Sequence, residues 1–393
     1  MSLLALSSST TEGRGWGHKL RASLRENSLL ILFTYVYCLA PIFVSQALSI
    51  HPRPYVKIWV AYIGFFIPAV IGLFAAFALW YLYHARVRKL PNFQSVAWQR
   101  IRTDFLHPDR LMLGLPIIVL WPIIASAFSY LKAAIPVMQP FYLDPLLHDW
   151  DRALHFGIDP WRLLQPFVGH AWITYLLNLV YTLWFLAFQA VLILQICATG
   201  DRRFRMQYLL TQVLAWSLIG NLAATLMSSA GPCFYSLLIE GADPYGPLMT
   251  YLHEMPARLS FVVLGHDIQL PFGALLLQDL LWQGYTTGSS ALGSGISAAP
   301  SMHLASTWLM WRLAWHVGGK ARLFGSLFLA FIFVGSIHLG WHYALDGYLG
   351  IAFAWLLWRL TGWLLARPAI RAWLWPEGLP GSSPARGTAA HPA

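Results

Sequence analysis

Residues 321–366 read ARLFGSLFLAFIFVGSIHLGWHYALDGYLGIAFAWLLWRLTGWLLA, and this stretch decides the fold class. Two apolar runs, 321–339 and 343–366, are separated by a short segment that ends at His342, and Asp346 follows at the start of the second run. Each run has the roughly 20 residues that an α-helix needs to cross about 30 Å of hydrocarbon. The apolar residues do not alternate with polar ones, which disfavours a β-barrel. The stretch therefore predicts two membrane-spanning helices joined by a polar turn.

The rest of the chain has the same character. Of its 393 residues, 58% are hydrophobic and 11% are charged, whereas an average soluble domain is about 25% charged. This composition excludes a soluble, disordered or fibrous protein and predicts an all-α, polytopic membrane bundle. The apolar runs predict eight membrane helices, at 29–48, 58–83, 111–130, 171–197, 207–228, 301–318, 321–339 and 343–366.

Lysine and arginine are distributed unevenly between the predicted loops. If both termini are cytoplasmic, 20 of the 26 Lys and Arg residues lie on the cytoplasmic side and 6 on the outer side. This asymmetry follows the positive-inside rule. The net charge of +10 therefore indicates topology rather than a nucleic-acid partner, with attraction to anionic lipid headgroups as a weaker contribution. We expect a multi-pass protein of the plasma or inner membrane.

Two outer segments are too long to be simple links. Segment 131–170 mixes acidic and aromatic residues and predicts one or two short interfacial helices. Its acidic residues predict a solvated face, with binding of a polar acceptor headgroup as the alternative. Segment 229–300 contains an apolar part, 269–282, that is too short to span the membrane and predicts a re-entrant or interfacial helix.

Two polar clusters are the strongest candidates for chemistry, because ionisable residues at membrane depth are costly. The first, Pro300-Ser301-Met302-His303, opens the sixth predicted helix. The second contains His342 and Asp346, where the seventh predicted helix ends and the eighth begins. The predicted topology places both clusters on the outer face.

The residue types in these clusters fit phosphoryl transfer. His342 and Asp346 are four residues apart and would share one face of a helix. A carboxylate that holds one ring nitrogen leaves the other as a nucleophile or base. His303 is suited to protonating a leaving oxygen. Pro300 fits the first turn of a helix, where free N–H groups and Ser301 would bind an anionic oxygen.

The motifs carry a family resemblance. Pro-Ser-Met-His (300–303) and His-Tyr-Ala-Leu-Asp (342–346) resemble the second and third signature motifs of the type 2 phosphatidic acid phosphatase superfamily. Gly-Ile-Ser-Ala-Ala-Pro-Ser-Met-His (295–303) and Ser-Ala-Gly-Pro-Cys-Phe-Tyr (229–235) are similar to its inositol phosphorylceramide synthase-like branch. The resemblance covers about 140–350. It implies that His342 attacks phosphorus, Asp346 orients it and His303 protonates the leaving group, without a metal or other cofactor.

Hydropathy and composition, together with this resemblance, predict four regions of the chain. These are a cytoplasmic tail (1–28), N-terminal transmembrane helices (29–130), a six-helix lipid phosphatase or phosphotransferase core within 131–366, and a second cytoplasmic tail (367–393) whose end is disordered. The first helices resemble an addition to the core, and their role beyond anchoring stays open, as does the oligomeric state.

The sequence departs from the phosphatase pattern at two positions. Members that hydrolyse phosphate monoesters carry Lys and Arg before the proline of the first motif and Arg six residues before the nucleophile. Here 227–230 is Met-Ser-Ser-Ala, and Ser336 stands six residues before His342. A dianionic monoester needs such cations more than a monoanionic phosphodiester does. The remaining candidates for phosphate contacts are Ser301, Gly231, Pro232, His338 and Arg258.

Three functions remain open at this stage. The favoured one is transfer of a phospholipid headgroup phosphate to a lipid alcohol, with membrane lipids as the partners. The second is hydrolysis of a lipid phosphate or polyprenyl diphosphate with water as the acceptor. The non-enzymatic alternative is a lipid transporter or scramblase, for which a His342→Ala variant would lose a flux rather than a chemical product. The pattern His338-x3-His342-x3-Asp346 also permits a zinc site, which we disfavour.

Overall fold

The structure is a computed structural model that describes residues 15–48, 93–100, 107–263, 266–288 and 295–376, with isolated positions between 64 and 102. Within these ranges the chain is helical apart from one two-stranded antiparallel hairpin. The elements are α1 (Trp16–Glu26), α2 (Ser28–Ala47), α3 (Phe93–Arg100), α4 (Pro108–Met138), α5 (Asp144–Leu154), α6 (Pro160–Val168), α7 (Ala171–Thr182), α8 (Trp184–Ile196), α9 (Arg202–Leu226, π-helical over Ala215–Ala223), a 3₁₀ turn (Pro232–Phe234), α10 (Tyr235–Leu238), α11 (Gly246–Arg258), β1 (Ser260–Val263), β2 (His266–Gln269), α12 (Gly273–Thr286), α13 (Met302–Val317), α14 (Lys320–His338), α15 (Ala344–Leu364) and α16 (Pro368–Leu374).

Five spans among the described residues are long and apolar enough to cross a membrane. They are α2, α4, α7 together with α8, α9 and α14. Helices α15 and α16 form a sixth if they are taken as one span despite a bend of 80° between them. The prediction of an all-α, polytopic membrane architecture is confirmed. The predicted helix at 58–83 lies, apart from isolated positions, outside the described residues.

The predicted span at 301–318 is shorter than a full crossing. Helix α13 has 16 residues, which corresponds to about 24 Å. It starts at the cap residue Ser301 and stops at Gly318 and Gly319, which both have positive φ angles. Leu304 and Leu309 on this helix are fully buried. Helix α13 is therefore a central core helix rather than one of the lipid-facing spans.

The other helices of the core surround α13. Helices α14 and α15 both pack against it, α14 also packs against α7, and α15 packs against α9. Two polar contacts cross this core, from Trp184 Nε1 to Thr307 Oγ1 at 2.7 Å and from Gln212 Nε2 to Ser306 Oγ at 2.8 Å. Because α13 and α15 begin where α14 ends, the polar clusters at these termini meet at one end of the bundle.

Helix α4 connects the N-terminal helices to this core. It packs against α2 and also against α8 and the π-helical part of α9. It continues to Met138, eight residues beyond the predicted regional boundary at 130. Helices α5 and α6 follow as the two short helices predicted within 131–170. Helix α12, with 14 residues, is the short helix predicted from the apolar part of 229–300.

A buried ion cluster holds α1 and α2 against the start of α9. Glu26 Oε2 accepts a hydrogen bond from Arg202 at 2.6 Å, and its Oε1 lies 3.7 Å from Arg205 Nη1. Arg205 is fully buried and also donates to the carbonyl of Ile196 and to Asn27 Oδ1. Removal of one partner of such a buried pair is costly, because the other charge stays buried. The cluster therefore fixes the N-terminal helices to the core.

Candidate active site

Backbone hydrogen bonds join the three segments that carry the motifs. The first segment, 229–235, is tied to the second, 295–303, by the N–H of Ala298, which donates to the carbonyl of Ser229 at 2.8 Å. It is tied to the third, 338–346, by the N–H of Cys233, which donates to Gly340 at 2.8 Å. The N–H of Ser301 donates to the carbonyl of Asp346 at 3.0 Å and closes the circuit. The structure thus brings the predicted motifs together.

His342 and Asp346 form a close pair, although not by the helical geometry that the sequence predicts. Helix α15 begins at Ala344, so His342 lies in the turn before it and Asp346 in its first turn. His342 Nδ1 is 3.4 Å from Asp346 Oδ2. The same Oδ2 accepts the N–H of Tyr343 at 3.1 Å in a capping box. Asp346 is fully buried, so this carboxylate has a fixed orientation towards the imidazole.

His303 lies beside His342 in an aromatic pocket. The centroids of the His303 and His342 rings are 5.7 Å apart, with an angle of 64° between the ring planes. Tyr181 stacks on His303 at 4.7 Å, and Trp184 lies at 4.3 Å from it. Neither aromatic residue was predicted, because ring side chains in apolar helices more often form lipid-facing belts. The pocket places two imidazoles close enough to act on one phosphorus centre.

The start of α13 differs from the prediction. Ser301 is the N-cap residue, and its hydroxyl oxygen accepts the N–H of Leu304 at 3.4 Å. Pro300 precedes the cap, joined to Ala299 by a cis peptide bond, so the prediction that it occupies the first turn is wrong. Ser301 is fully buried, and its own N–H is engaged by Asp346. Ser301 therefore caps the helix that carries His303 and is bonded to the residue that faces His342.

Asp144 is the residue that organises the first motif. Its Oδ1 accepts from Ser229 Oγ at 2.9 Å, from the N–H of Gly231 at 2.8 Å and from Tyr343 Oη at 3.0 Å. Its Oδ2 accepts the N–H of Ala230 at 2.9 Å. The carboxylate is fully buried. It therefore holds the first motif and the residue next to His342 in one fixed arrangement.

This arrangement changes the interpretation of Gly231 and Pro232 as phosphate contacts. The N–H of Gly231 is already donated to Asp144, and proline has no N–H. Gly231 has a φ angle of 95°, and a Cβ atom on it would lie 2.7 Å from the carbonyl oxygen of Trp341. Glycine at 231 is thus required by the close approach of two motif backbones.

Asp151 plays a similar part at the start of α15. Its two carboxylate oxygens accept the N–H groups of Ala344 at 2.7 Å and Leu345 at 2.8 Å. Burial raises the pKa of Asp151, and the two amide donors act in the opposite direction. A carboxylate at a helix N-terminus satisfies free donors and interacts favourably with the helix dipole. Asp151 thus fixes the helix turn that carries Asp346.

The prediction that the acidic residues of 131–170 form a solvated face is wrong for these two aspartates and for Asp159, which is also buried. Asp144 and Asp151 are buried, whereas Asp149 between them is exposed. The two buried positions are seven residues apart, which places them on one face of a helix. That spacing was the available signal, but amphipathic helices at membrane interfaces show the same pattern.

The two other predicted phosphate contacts, His338 and Arg258, are engaged elsewhere. His338 is fully buried, and its Nε2 lies 2.9 Å from Thr174 Oγ1. Arg258 pairs with Glu254 at 2.6 Å, and both side chains are about half exposed. Arg258 also lies over the ring of Tyr251. These contacts favour packing for His338 and a surface ion pair for Arg258.

Ser336 stands where the phosphatase pattern has an arginine, and its contacts are mainly made by the backbone. Ser336 is buried, and its carbonyl accepts the N–H groups of Trp341 and His342, both at 3.0 Å. Its hydroxyl donates to the carbonyl of Phe333. Ser336 therefore helps to shape the turn at His342 and brings no positive charge to it. Within the described ranges, no three His, Cys, Asp or Glu side chains converge as a metal site would require.

Comparison with known proteins identifies the family of the chain. The family model described as the PAP2 superfamily matches residues 145–360, more than half of the chain. No curated protein and no solved structure matches the chain significantly. The matched range contains all three joined segments and the His303, His342 and Asp346 side chains. The chain therefore belongs to the PAP2 superfamily and is an enzyme of the lipid phosphatase or phosphotransferase type.

Proposed function

We propose that this protein is a membrane phosphotransferase that moves a phospholipid headgroup phosphate to a lipid alcohol through a phosphohistidine on His342. The observation that carries the proposal is that one imidazole is close both to a buried carboxylate and to a second imidazole. Asp346 lies 3.4 Å from Nδ1 of His342, and the ring of His303 is 5.7 Å from that of His342. One imidazole is thus oriented as a nucleophile, and the other is placed for proton transfer.

In the first step, the Nε2 lone pair of His342 attacks the phosphorus of the donor lipid. The bond between phosphorus and the leaving oxygen breaks, and that oxygen takes a proton from His303. Asp346 holds the Nδ1 side of the ring and stabilises the positive charge that develops on the imidazole. The products of this step are the released alcohol and phosphohistidine.

In the second step, the hydroxyl oxygen of the acceptor attacks the same phosphorus. His303, now neutral, accepts the hydroxyl proton, and the bond between phosphorus and Nε2 breaks. His342 and His303 return to their starting states, as ping-pong chemistry requires. With a lipid alcohol as acceptor the enzyme is a transferase, and with water it is a hydrolase.

The charges around the site favour a phosphodiester donor. The carboxylate of Asp144 occupies the amides of the first motif, and Ser336 replaces a cation near His342. A buried carboxylate beside the site disfavours a second negative charge on the substrate. A phospholipid headgroup linkage carries one negative charge, whereas a phosphate monoester carries up to two. This balance supports headgroup transfer of the inositol phosphorylceramide synthase type over phosphatidate hydrolysis.

We further propose that the site faces the outside of the membrane. His303 and Asp346 lie at the N-terminal ends of α13 and α15, and Lys320 and Arg322 lie at the other end of the bundle, where α14 begins. By the positive-inside rule, that end is cytoplasmic. A reporter enzyme that is active only in the cytoplasm should be active when it is fused after α16. If a reporter that is active only outside the cytoplasm is active at the same position, the proposed orientation is reversed.

The function is tested with purified protein in detergent and headgroup-labelled phospholipids, with and without diacylglycerol or ceramide. A labelled lipid product that requires the added alcohol is expected from the wild type and not from His342→Ala. His253→Ala is the matched control, because His253 is exposed on α11. Water-soluble phosphate or phosphoalcohol formed without a lipid acceptor would favour the hydrolase. Equal product from the wild type and His342→Ala would refute the phosphohistidine mechanism.

A further inference from the structure

Lys132 lies next to the second motif segment, 295–303. It belongs to a helix that carries none of the three motif segments. This helix is α4, and Lys132 lies six residues before its end. A Cβ atom on Gly295 would lie 2.7 Å from the carbonyl carbon and oxygen of Lys132. The backbone of 295–298, which leads to His303, therefore runs directly against the backbone of α4 at this lysine.

The face of α4 that carries Lys132 is the one that packs on the site. Phe128 is one turn earlier and shares this face. A Cβ atom on Gly220 would lie 2.7 Å from the ring of Phe128 and 3.0 Å from Met302 Cγ, so Phe128 and Met302 both lie against Gly220. Met302 is the residue before His303. The face of α4 with Phe128 and Lys132 is therefore directed at the start of α13.

The ammonium group of Lys132 has no counter-charge in the described part of the chain. Lys132 is only partly accessible and makes no ion pair or hydrogen bond with a described side chain or carbonyl. It is close enough to interact electrostatically with His303. A lysine charge held away from bulk water is costly unless an anion accompanies it. Among the described residues, Lys132 is thus a cation near the proposed proton donor with no acidic side chain paired to it.

We propose that Lys132 is the cation that binds a non-bridging oxygen of the substrate phosphoryl group. This inference rests on the proposed function, because it assumes that phosphorus is attacked by His342. Lys132 takes the place of the lysine and arginines that the first and third motifs lack, but it comes from a helix before the first motif. A single ammonium matches the single charge of a phosphodiester, and it acts as a point charge rather than a bidentate partner.

The inference is tested with orthovanadate as the probe of phosphoryl binding, on full-length protein in detergent. Lys132→Met should raise the inhibition constant of vanadate about 10- to 100-fold, since a charge-assisted hydrogen bond is lost. It should also raise KM for the labelled phospholipid. Lys132→Arg should bring both the inhibition constant and KM most of the way back to the wild-type values. Lys320→Met, which removes an exposed lysine at the other end of α14, should match the wild type. Equal vanadate inhibition of Lys132→Met and the wild type would overturn the assignment.

A second measurement uses the unmutated chain and does not depend on the folding of a variant. Reductive methylation of lysines, followed by mass spectrometry, should show less modification of Lys132 in the presence of vanadate, with no change at Lys320. The same degree of modification of Lys132 with and without vanadate would contradict the proposal. If the wild type transfers phosphate and His342→Ala does not, the proposed function stands whatever the result at Lys132. If His342→Ala is as active as the wild type, the proposed function itself fails.

Discussion

Replacement of Asp144 by asparagine tests whether a buried carboxylate holds the motifs together. Asp144 accepts four hydrogen bonds, three at Oδ1 and one at Oδ2. An asparagine oxygen at the Oδ1 position can keep three of these donors. Its NH₂ group then faces the N–H of Ala230, and two donors oppose each other. The variant has nearly the same shape as the native side chain, so any effect comes from charge and hydrogen bonding.

The magnitude follows from the number of bonds affected. One bond to a charged acceptor is lost, worth about 1.5–3 kcal/mol, and the other three are weakened because the acceptor is now neutral. We therefore expect Asp144→Asn to lower the free energy of unfolding by about 2–3 kcal/mol. For a chain of 393 residues, that corresponds to a fall of roughly 2–4 °C in Tm. The rate should fall as well, because Tyr343, which donates to Asp144, precedes the turn of Asp346.

The assay is thermal denaturation of the purified protein in detergent, together with turnover of labelled phospholipid. Asp149→Asn is the matched control, because Asp149 lies on the same helix and is exposed. That control should stay within about 0.5 kcal/mol of the wild type, as is usual for surface substitutions. The same Tm and turnover for Asp144→Asn and Asp149→Asn would refute the organising role of Asp144.

Three further predictions concern the nucleophile, the close approach of the motifs and the N-terminal ion cluster. Asp346→Asn should lower kcat by roughly 10²- to 10⁴-fold with little change in Tm, because the imidazole loses its orienting carboxylate. Gly231→Ala should destabilise the fold, because its Cβ would lie 2.7 Å from the oxygen of Trp341 and its φ angle is positive. Glu26→Gln should lower the free energy of unfolding by about 3 kcal/mol, because Arg205 stays buried without its counter-charge.

The first prediction has a refuting outcome, and the other two each have a control within the chain. Near-normal turnover of Asp346→Asn would remove Asp346 from the mechanism. Gly241→Ala carries the same backbone strain as Gly231→Ala but meets no atom within 4 Å, so equal loss of Tm in both would show strain alone. Glu254→Gln breaks an exposed ion pair and should cost less than about 1 kcal/mol. A loss for Glu26→Gln no larger than this would contradict the view that the buried cluster anchors α1 and α2.

The predictions that succeeded from sequence rest on patterns that are local in the chain. A run of about 20 apolar residues has few alternatives to a helix in a membrane, and α14 follows this rule almost to the residue. Helix α13 also lies within one residue of its predicted bounds at each end, and its C-cap is Gly318, but its 16 residues are fewer than a full crossing needs. The pairing of His342 with Asp346 was predicted from spacing, whereas the contact comes from a capping box at the start of α15.

The residues that were missed depend on contacts between distant parts of the chain. Asp144 and Tyr343 are 199 residues apart, and no local pattern links them. Lys132 was assigned to the outer loop charges, because its position on a helix face towards the second motif depends on the packing of α4. The exposed Asp149 and the buried Asp151 are alike in sequence and differ only in what packs over them. Tertiary packing decides these positions.

The hydrogen bonds that join the three motif segments are formed by the main chain, at Ala298, Cys233 and Ser301. Such bonds do not depend on which side chains these segments carry. The scaffold that positions the two histidines can therefore be inherited intact while individual side chains around the phosphate are exchanged. A serine at position 336 in place of a cation is one such exchange. In this architecture, substrate preference can diverge between relatives without any rebuilding of the catalytic frame.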